Sequence, residues 1–177
     1  MRIDDYTPGS IGRIVELHGR YYARDWGFGS FFEAKVAHEL GDLITGFDPQ
    51  RDGFWVATES DEILGGIVID GAQAPEAARL RFFIVDDAHR GAGIGERLMQ
   101  VALEFCRQAG YRRVFLTTFA GLDPARKLYE RHGFTLTDEH PDRTWGVEVV
   151  EQRFDLRLAQ NGTMVKSKPK FSERSRN

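Results

Sequence analysis

A single cysteine, Cys106, stands in 177 residues, so no disulfide can close within the chain. It falls in an expected helix with no base evident near it, which makes it a packed residue rather than a nucleophile. An excess of charge of one sign is lacking too. The 24 Lys and Arg against 27 Asp and Glu leave a net charge of −3, which gives no general reason to bind nucleic acid or an anionic membrane. No apolar run approaches the length of a membrane span, and the start, Arg2 to Tyr6, is too acidic and polar for a signal peptide. A cytoplasmic protein is therefore expected, with neither nucleic acid nor membrane as partner. Internal repeats are absent. What is present, 41% hydrophobic and 29% charged residues, suffices for one domain with a substantial core. That domain is expected over residues 1–159. A mobile basic tail is expected over 160–177, where Lys166, Lys168, Lys170, Arg174 and Arg176 are opposed only by Glu173.

The most informative stretch runs from Arg79 to Gly95. Leu80, Phe82, Phe83, Ile84 and Val85 form a nearly unbroken apolar run, the pattern of a strand covered on both faces. Asp86 and Asp87 end it, and Gly91, Gly93 and Gly95 then alternate with Ala92 and Ile94. From Ile94 the period changes: Ile94, Leu98, Val101, Phe105 and Ala109 recur at helical spacing until Gly110. Strand, glycine-rich turn and helix together place backbone N–H groups at a helix N-terminus, where negative charge is favoured. Phosphate or pyrophosphate is the natural guest.

Two familiar phosphate motifs fail here. The dinucleotide pattern G-x-G-x-x-G meets Glu96 at its third glycine, and the P-loop needs Gly-Lys where the chain has Gly95-Glu96. The segment that fits is Arg90-Gly91-Ala92-Gly93-Ile94-Gly95, which resembles the acetyl-CoA pyrophosphate loop of the GNAT superfamily of N-acetyltransferases. Downstream, Ala125-x-x-Leu128-Tyr129-Glu130-x-x-Gly133-Phe134 is similar to that superfamily's second recurrent motif, a short helix carrying a tyrosine beside the thioester sulfur. The chain departs from the pattern at Leu122, where many members carry Asn, and Asp123 is the neighbouring polar alternative. The Leu80–Phe83 strand, the run Thr117 to Asp123 and the early Tyr-Tyr-x-x-x-Trp-Gly-Phe run are similar to the acetyltransferase halves of MarR-type regulator–acetyltransferase fusions.

The rest of the chain reads as follows. Arg2 to Tyr6 is a short strand. Ser10 is a candidate N-cap for a helix carrying Ile11, Ile14, Leu17, His18, Tyr21 and Tyr22, and a second helix begins near Ser30. Between them lies an aromatic, glycine-bearing connection, Tyr21 to Gly29, either a ligand wall or a hydrophobic seam over the sheet. Residues 54–58 and 63–69 form a hairpin across Ser60-Asp61-Glu62, and Gly71 to Pro75 is a loop. Val114 to Thr118 is a buried strand. After Phe134, a strand to about Asp138, a turn at 140–143 and a last strand over 147–158 complete the chain.

The expected fold class is α/β, a mixed and mostly antiparallel sheet flanked by helices. The resemblance implies that its central parallel pair, Leu80–Val85 and Val114–Thr118, splays apart to admit the pantetheine arm. An extended arm can pair with an open strand edge, which makes the backbone of Ile84 and Val85 candidates beside the loop from Arg90 to Gly95. The implied co-substrate is acetyl-CoA, with no metal. The implied reaction is N-acetylation of a primary amine, on a small molecule rather than a protein, with Tyr129 protonating the departing thiolate. Candidates for the base are Glu33, Glu39 and His132, because Arg79 and Arg81 stand where many relatives carry a glutamate. Tyr22, Trp26, Phe28 and Arg81 are candidates for the acceptor site, Arg81 by holding an acidic group. A non-catalytic acyl-CoA sensor is the alternative, and a homodimer is left open.

Overall fold

The computed structural model describes residues 1–159. The expected tail, 160–177, lies outside them. In chain order the elements are β1 (Arg2–Asp5), α1 (Ser10–Trp26), α2 (Ser30–Thr45), β2 (Gly53–Glu59), β3 (Glu62–Ala74), β4 (Ala77–Val85), a single 3-10 turn (Asp87–His89), α3 (Ile94–Gln108), β5 (Arg113–Phe119), α4 (Asp123–Arg131), β6 (Thr135–Asp142) and β7 (Val149–Arg157). The seven strands form one sheet in the order β1-β2-β3-β4-β5-β7-β6. All neighbours run antiparallel except β4 and β5. This is the expected mixed sheet.

Alternation of side chains along each strand gives the sheet two buried faces. Ile67 and Ile69 of β3 join Leu98, Met99 and Leu103 of α3. Val68, between them, joins Ile14 and Leu17 of α1 and Leu40 of α2 on the other side. Helices therefore cover both faces, with α3 and α4 opposite α1 and α2. At the first hairpin Ser60 and Asp61 both take positive φ, 48° and 67°, the backbone of a two-residue hairpin turn matched to strand twist. No helix among the described residues is long and apolar enough to cross a membrane.

The site originates where β4 and β5 part. They pair through Ala77↔Arg113, Ala78↔Val114 and Arg79↔Phe115 and no further. Beyond Arg79 the β5-facing edge of β4 lacks a strand partner. On its other edge β4 carries an irregularity, with register shifting between Gly66 and Val68 of β3 and Phe82 at φ 49°. The apolar run expected to be covered on both faces is thus only partly buried at Phe82, Phe83 and Val85. Parting strands open a cleft there instead of closing a core.

Several boundaries differ from expectation. Tyr21, Tyr22 and Trp26 are not in a connection: α1 continues until Gly27, whose φ of 68° ends it with an N–H bond to the Tyr22 carbonyl. Ser10 is the first helical residue rather than the cap, and its hydroxyl accepts from the Thr7 N–H at 3.2 Å. The Gly71–Pro75 loop is largely strand, with Ala74 still paired to Ala77. β6 runs through Pro141 to Asp142 because it is an edge strand with one neighbour, where a missing N–H is tolerated.

Candidate functional site

A groove of about 340 Å³ lies along the fork. Its walls include Phe83, Ile84 and Val85 from β4, the turn residues Arg90, Gly91 and Gly93, Ile94 and Gly95 of α3, and Leu128 and Tyr129 of α4. The structure thus brings together the residues that the sequence singled out for a cofactor. Ala92 alone among them is not a wall, although it is exposed on the same turn.

The turn is held open by its backbone. Asp86 caps the 3-10 turn by accepting from the Ala88 N–H at 2.9 Å. Gly91 and Gly93 follow at φ 82° and 77°, a region that L side chains enter at a cost of about 1–2 kcal/mol. Nothing lies within 4 Å of where a Cβ on either would sit. No side chain caps α3, so its first N–H groups are left without a side-chain acceptor at the positive end of the helix dipole. Gly95 matters for packing instead. A Cβ there would meet Phe83 Cζ at 3.2 Å, so the glycine lets α3 approach β4. Arg90 reaches the groove but is already engaged, bonded to Asp87 at 2.7 Å and stacked 4.5 Å from the Tyr21 ring.

A second cavity, of about 110 Å³, adjoins the first. Tyr22, Phe83, Thr118 and Tyr129 line both and form the neck between them. Beyond that neck are Arg79, Arg81, Glu39 and His18, with an aromatic wall built by Phe32, Phe119 and Trp145. Tyr129 is 5% exposed, and burial pushes its phenol well above the ordinary range, so it stays protonated at neutral pH. Tyr22 is pushed up as well, first by burial and then by the phenols of Tyr129 and Tyr21.

The charged groups are arranged unequally. Arg81 donates to Asp70 at 3.0 Å and to Glu39 at 2.5 Å, and Glu39 also takes Lys35. Arg81 is therefore not free to hold an acidic group, and that expectation is corrected. Arg79 donates to the Thr117 hydroxyl at 2.9 Å and has no ion pair among the described residues. Burial, then the nearby charge of Arg81, lowers its pKa from the ordinary value.

Other candidates fall elsewhere. Glu33 is exposed on α2, its carboxyl lying over Gly19 of α1, and lines neither cavity. His132 Nε2 lies 2.8 Å from Glu96 Oε1, outside the second cavity. Trp26 and Phe28 stand behind Tyr22: Trp26 packs over Gly121 and against Phe119, and Phe28 is buried against Phe32 at 4.7 Å. Asp123 is exposed and not a groove wall, whereas Leu122 is. The Cys106 thiol is buried and pushed up to about 12, which rules out a thiolate at neutral pH.

His18 is a wall residue that its place on an apolar helix face concealed. Its Nδ1 lies 2.8 Å from the Ile14 carbonyl and is therefore the protonated nitrogen, with Nε2 left as an acceptor. Burial lowers its pKa to about 4. Its spacing of four residues from Tyr22 on α1 is the signal that places both on one side of the helix.

Comparison with known proteins agrees with this geometry. The model of the acetyltransferase (GNAT) family matches residues 12–134, and the chain belongs to that family. It is 29% identical over 135 residues to N-acetyltransferase 8B of Rattus norvegicus, covering 71% of this chain and 61% of that protein. It is also 29% identical over 140 residues to N-acetylaspartate synthetase of Danio rerio, covering 78% of this chain and 50% of that one. The chain thus spans only half to three fifths of these relatives' lengths. In fold it is similar to yncA of Salmonella typhimurium, described as an acetyltransferase and solved with its cofactor acetyl-CoA. The TM-score is 0.68 at 16% identity, over 91% of this chain and 95% of that one.

Proposed function

We propose that the protein is an acetyl-CoA-dependent N-acetyltransferase acting on the primary amine of a small molecule. One observation carries the reading: a groove beside an open strand edge and a glycine-rich helix N-terminus meets a second cavity at the buried phenol of Tyr129. The first compartment suits a pyrophosphate and an extended amide arm. The backbones of Ile84 and Val85 would pair with the arm, and the turn from Arg90 to Gly95 would take the phosphates. The open space at the Gly91 and Gly93 Cβ positions supports that fit.

Bound acetyl-CoA would supply an activated acyl carbon at the neck. The amine nitrogen would bond to that carbon as the C–S bond breaks, Tyr129 would give its proton to the sulfur, and the proton the nitrogen sheds on becoming an amide would return to the Tyr129 oxygen. An aliphatic ammonium, of pKa about 10, must lose a proton before attack. With Glu39 tied to two cations and His18 held neutral by burial, we assign the removal of that proton to water entering the cavity, with His18 Nε2 as a hydrogen-bond acceptor that orients it. Glu33 is withdrawn from this role.

Both cavities are walled by described residues of one chain, so this reading requires no second copy. The resemblance to MarR-type fusions contributes only their acetyltransferase part. Leu122 in the groove wall is what favours the sensor alternative. Release of free thiol from acetyl-CoA, followed with and without a panel of small amines, tests the proposal. Amine-dependent release supports it; acetyl-CoA binding with no release from any amine makes the protein a sensor.

A further inference from the structure

The second cavity holds one cation, Arg79, that makes no ion pair among the described residues, although the carboxylates of Glu39, Glu151 and Asp70 act on its charge from farther away. Arg81 and Lys35 share the carboxylates of Asp70 and Glu39. Arg79 sits on β4 at the last residue paired with β5, at the closed end of the fork, and reaches across it to the neutral hydroxyl of Thr117. The other donors of its guanidinium have no carboxylate among the described residues. A guanidinium held in a cleft without a carboxylate in contact costs folding energy, and its planar fork of donors matches a carboxylate in two bonds at once. From the groups lining this cavity, we infer that Arg79 is the anchor for a carboxylate on the acceptor, and that the acceptor is an amino acid with an apolar or aromatic side chain.

Three features set that class. Arg79 lies at the closed end of the fork and Tyr129 at the neck, so a molecule held by its carboxylate presents its amine toward the groove. The wall of Phe32, Phe119 and Trp145 suits an apolar side chain. Arg81, compensated by Glu39 and Asp70, adds no further net charge for a second acidic group. The inference rests on the acetyl-transfer reading, but the anchor and the reaction are separable by experiment.

The test sets proteinogenic amino acids against their α-carboxamides. Rates are measured at saturating acetyl-CoA, and equilibrium binding is measured calorimetrically to the protein–coenzyme A complex. At least one apolar or aromatic amino acid is expected to exceed its carboxamide by about tenfold to a hundredfold, the range that a charge-assisted hydrogen bond spans. Arg79→Gln is expected to abolish that preference with acetyl-CoA affinity retained, and Arg79→Lys to restore part of it. Should Arg79→Gln fail to fold, Arg79→Lys is read on the same pairs, and a reduced preference supports the anchor. Carboxylate binding that depends on Arg79 without turnover keeps the anchor and defeats the reaction. Carboxamides bound as well as the acids, equal preference in the variants, or no amino acid bound at all overturns the inference.

Discussion

The ring of Tyr129 on α4 lies 6.2 Å from the ring of Phe83 on β4, centroid to centroid. Both residues line the neck joining groove to cavity. Phe83 projects there because β4 has lost its neighbour and its register is irregular at Phe82. Tyr129 projects there because the α4 stripe of Leu128 and Tyr129 packs on the core. The neck is thus a product of strand parting, not of a separate loop.

Tyr129→Phe removes the hydroxyl and keeps the ring packing against Phe134 and Phe154. Turnover should fall by something like the 10²–10⁴-fold of a lost general acid, with acetyl-CoA affinity little changed in a calorimetric titration. Turnover equal to the parent would make Tyr129 a packing residue only.

Gly93→Asp puts a side chain and a negative charge at a backbone of φ 77° facing open space. It should abolish acetyl-CoA binding while circular dichroism and cooperative unfolding persist. Retained affinity would place the phosphates elsewhere.

Arg90 is partly spent on Asp87 and Tyr21, so Arg90→Ala should cost no more than the roughly 1.5–3 kcal/mol of one charge-assisted hydrogen bond. The loss should shrink as salt is added. Affinity measured at low and high ionic strength checks both, and a loss that grows with salt contradicts the assignment.

His18 links stability to pH. Its pKa falls from 6.5 in the unfolded chain to about 4 in the folded one, so between those values the unfolded chain binds a proton that the folded chain does not. The stabilisation is complete above pH 6.5 and is lost as pH falls toward 4, by up to about 3 kcal/mol. Urea unfolding of the parent and of His18→Phe at pH 7 and pH 4 reads the difference: the parent should lose more. Equal losses would mean His18 is not buried neutral.

The motif residues are legible in the sequence because backbone geometry enforces them. Left-handed turns require Gly91 and Gly93, and the change from strand to helical period fixes where α3 begins. Tyr129 is legible through its place in a helical motif. The second cavity is not, because its walls come from β4, β5, α1, α2 and the β6–β7 connection, and no local spacing relates Arg79 to Thr117 or Phe32 to Trp145. Arg81 reads as free for want of its partners, Glu39 and Asp70, which are brought to it by tertiary folding. Trp26 and Phe28 read equally as a ligand wall or a hydrophobic seam, because the aromatic partners that bury them, Phe119 and Phe32, are distant in the chain or on the next helix.

The account is tested most directly by incubating the protein with acetyl-CoA isotopically labelled in its acetyl group and a mixture of small primary amines, then following the label by mass spectrometry. The account predicts that label appears on an amine nitrogen, that coenzyme A accumulates in equal amount, and that Gly93→Asp yields neither. Label left entirely on coenzyme A, with acetyl-CoA bound but never consumed, would contradict it.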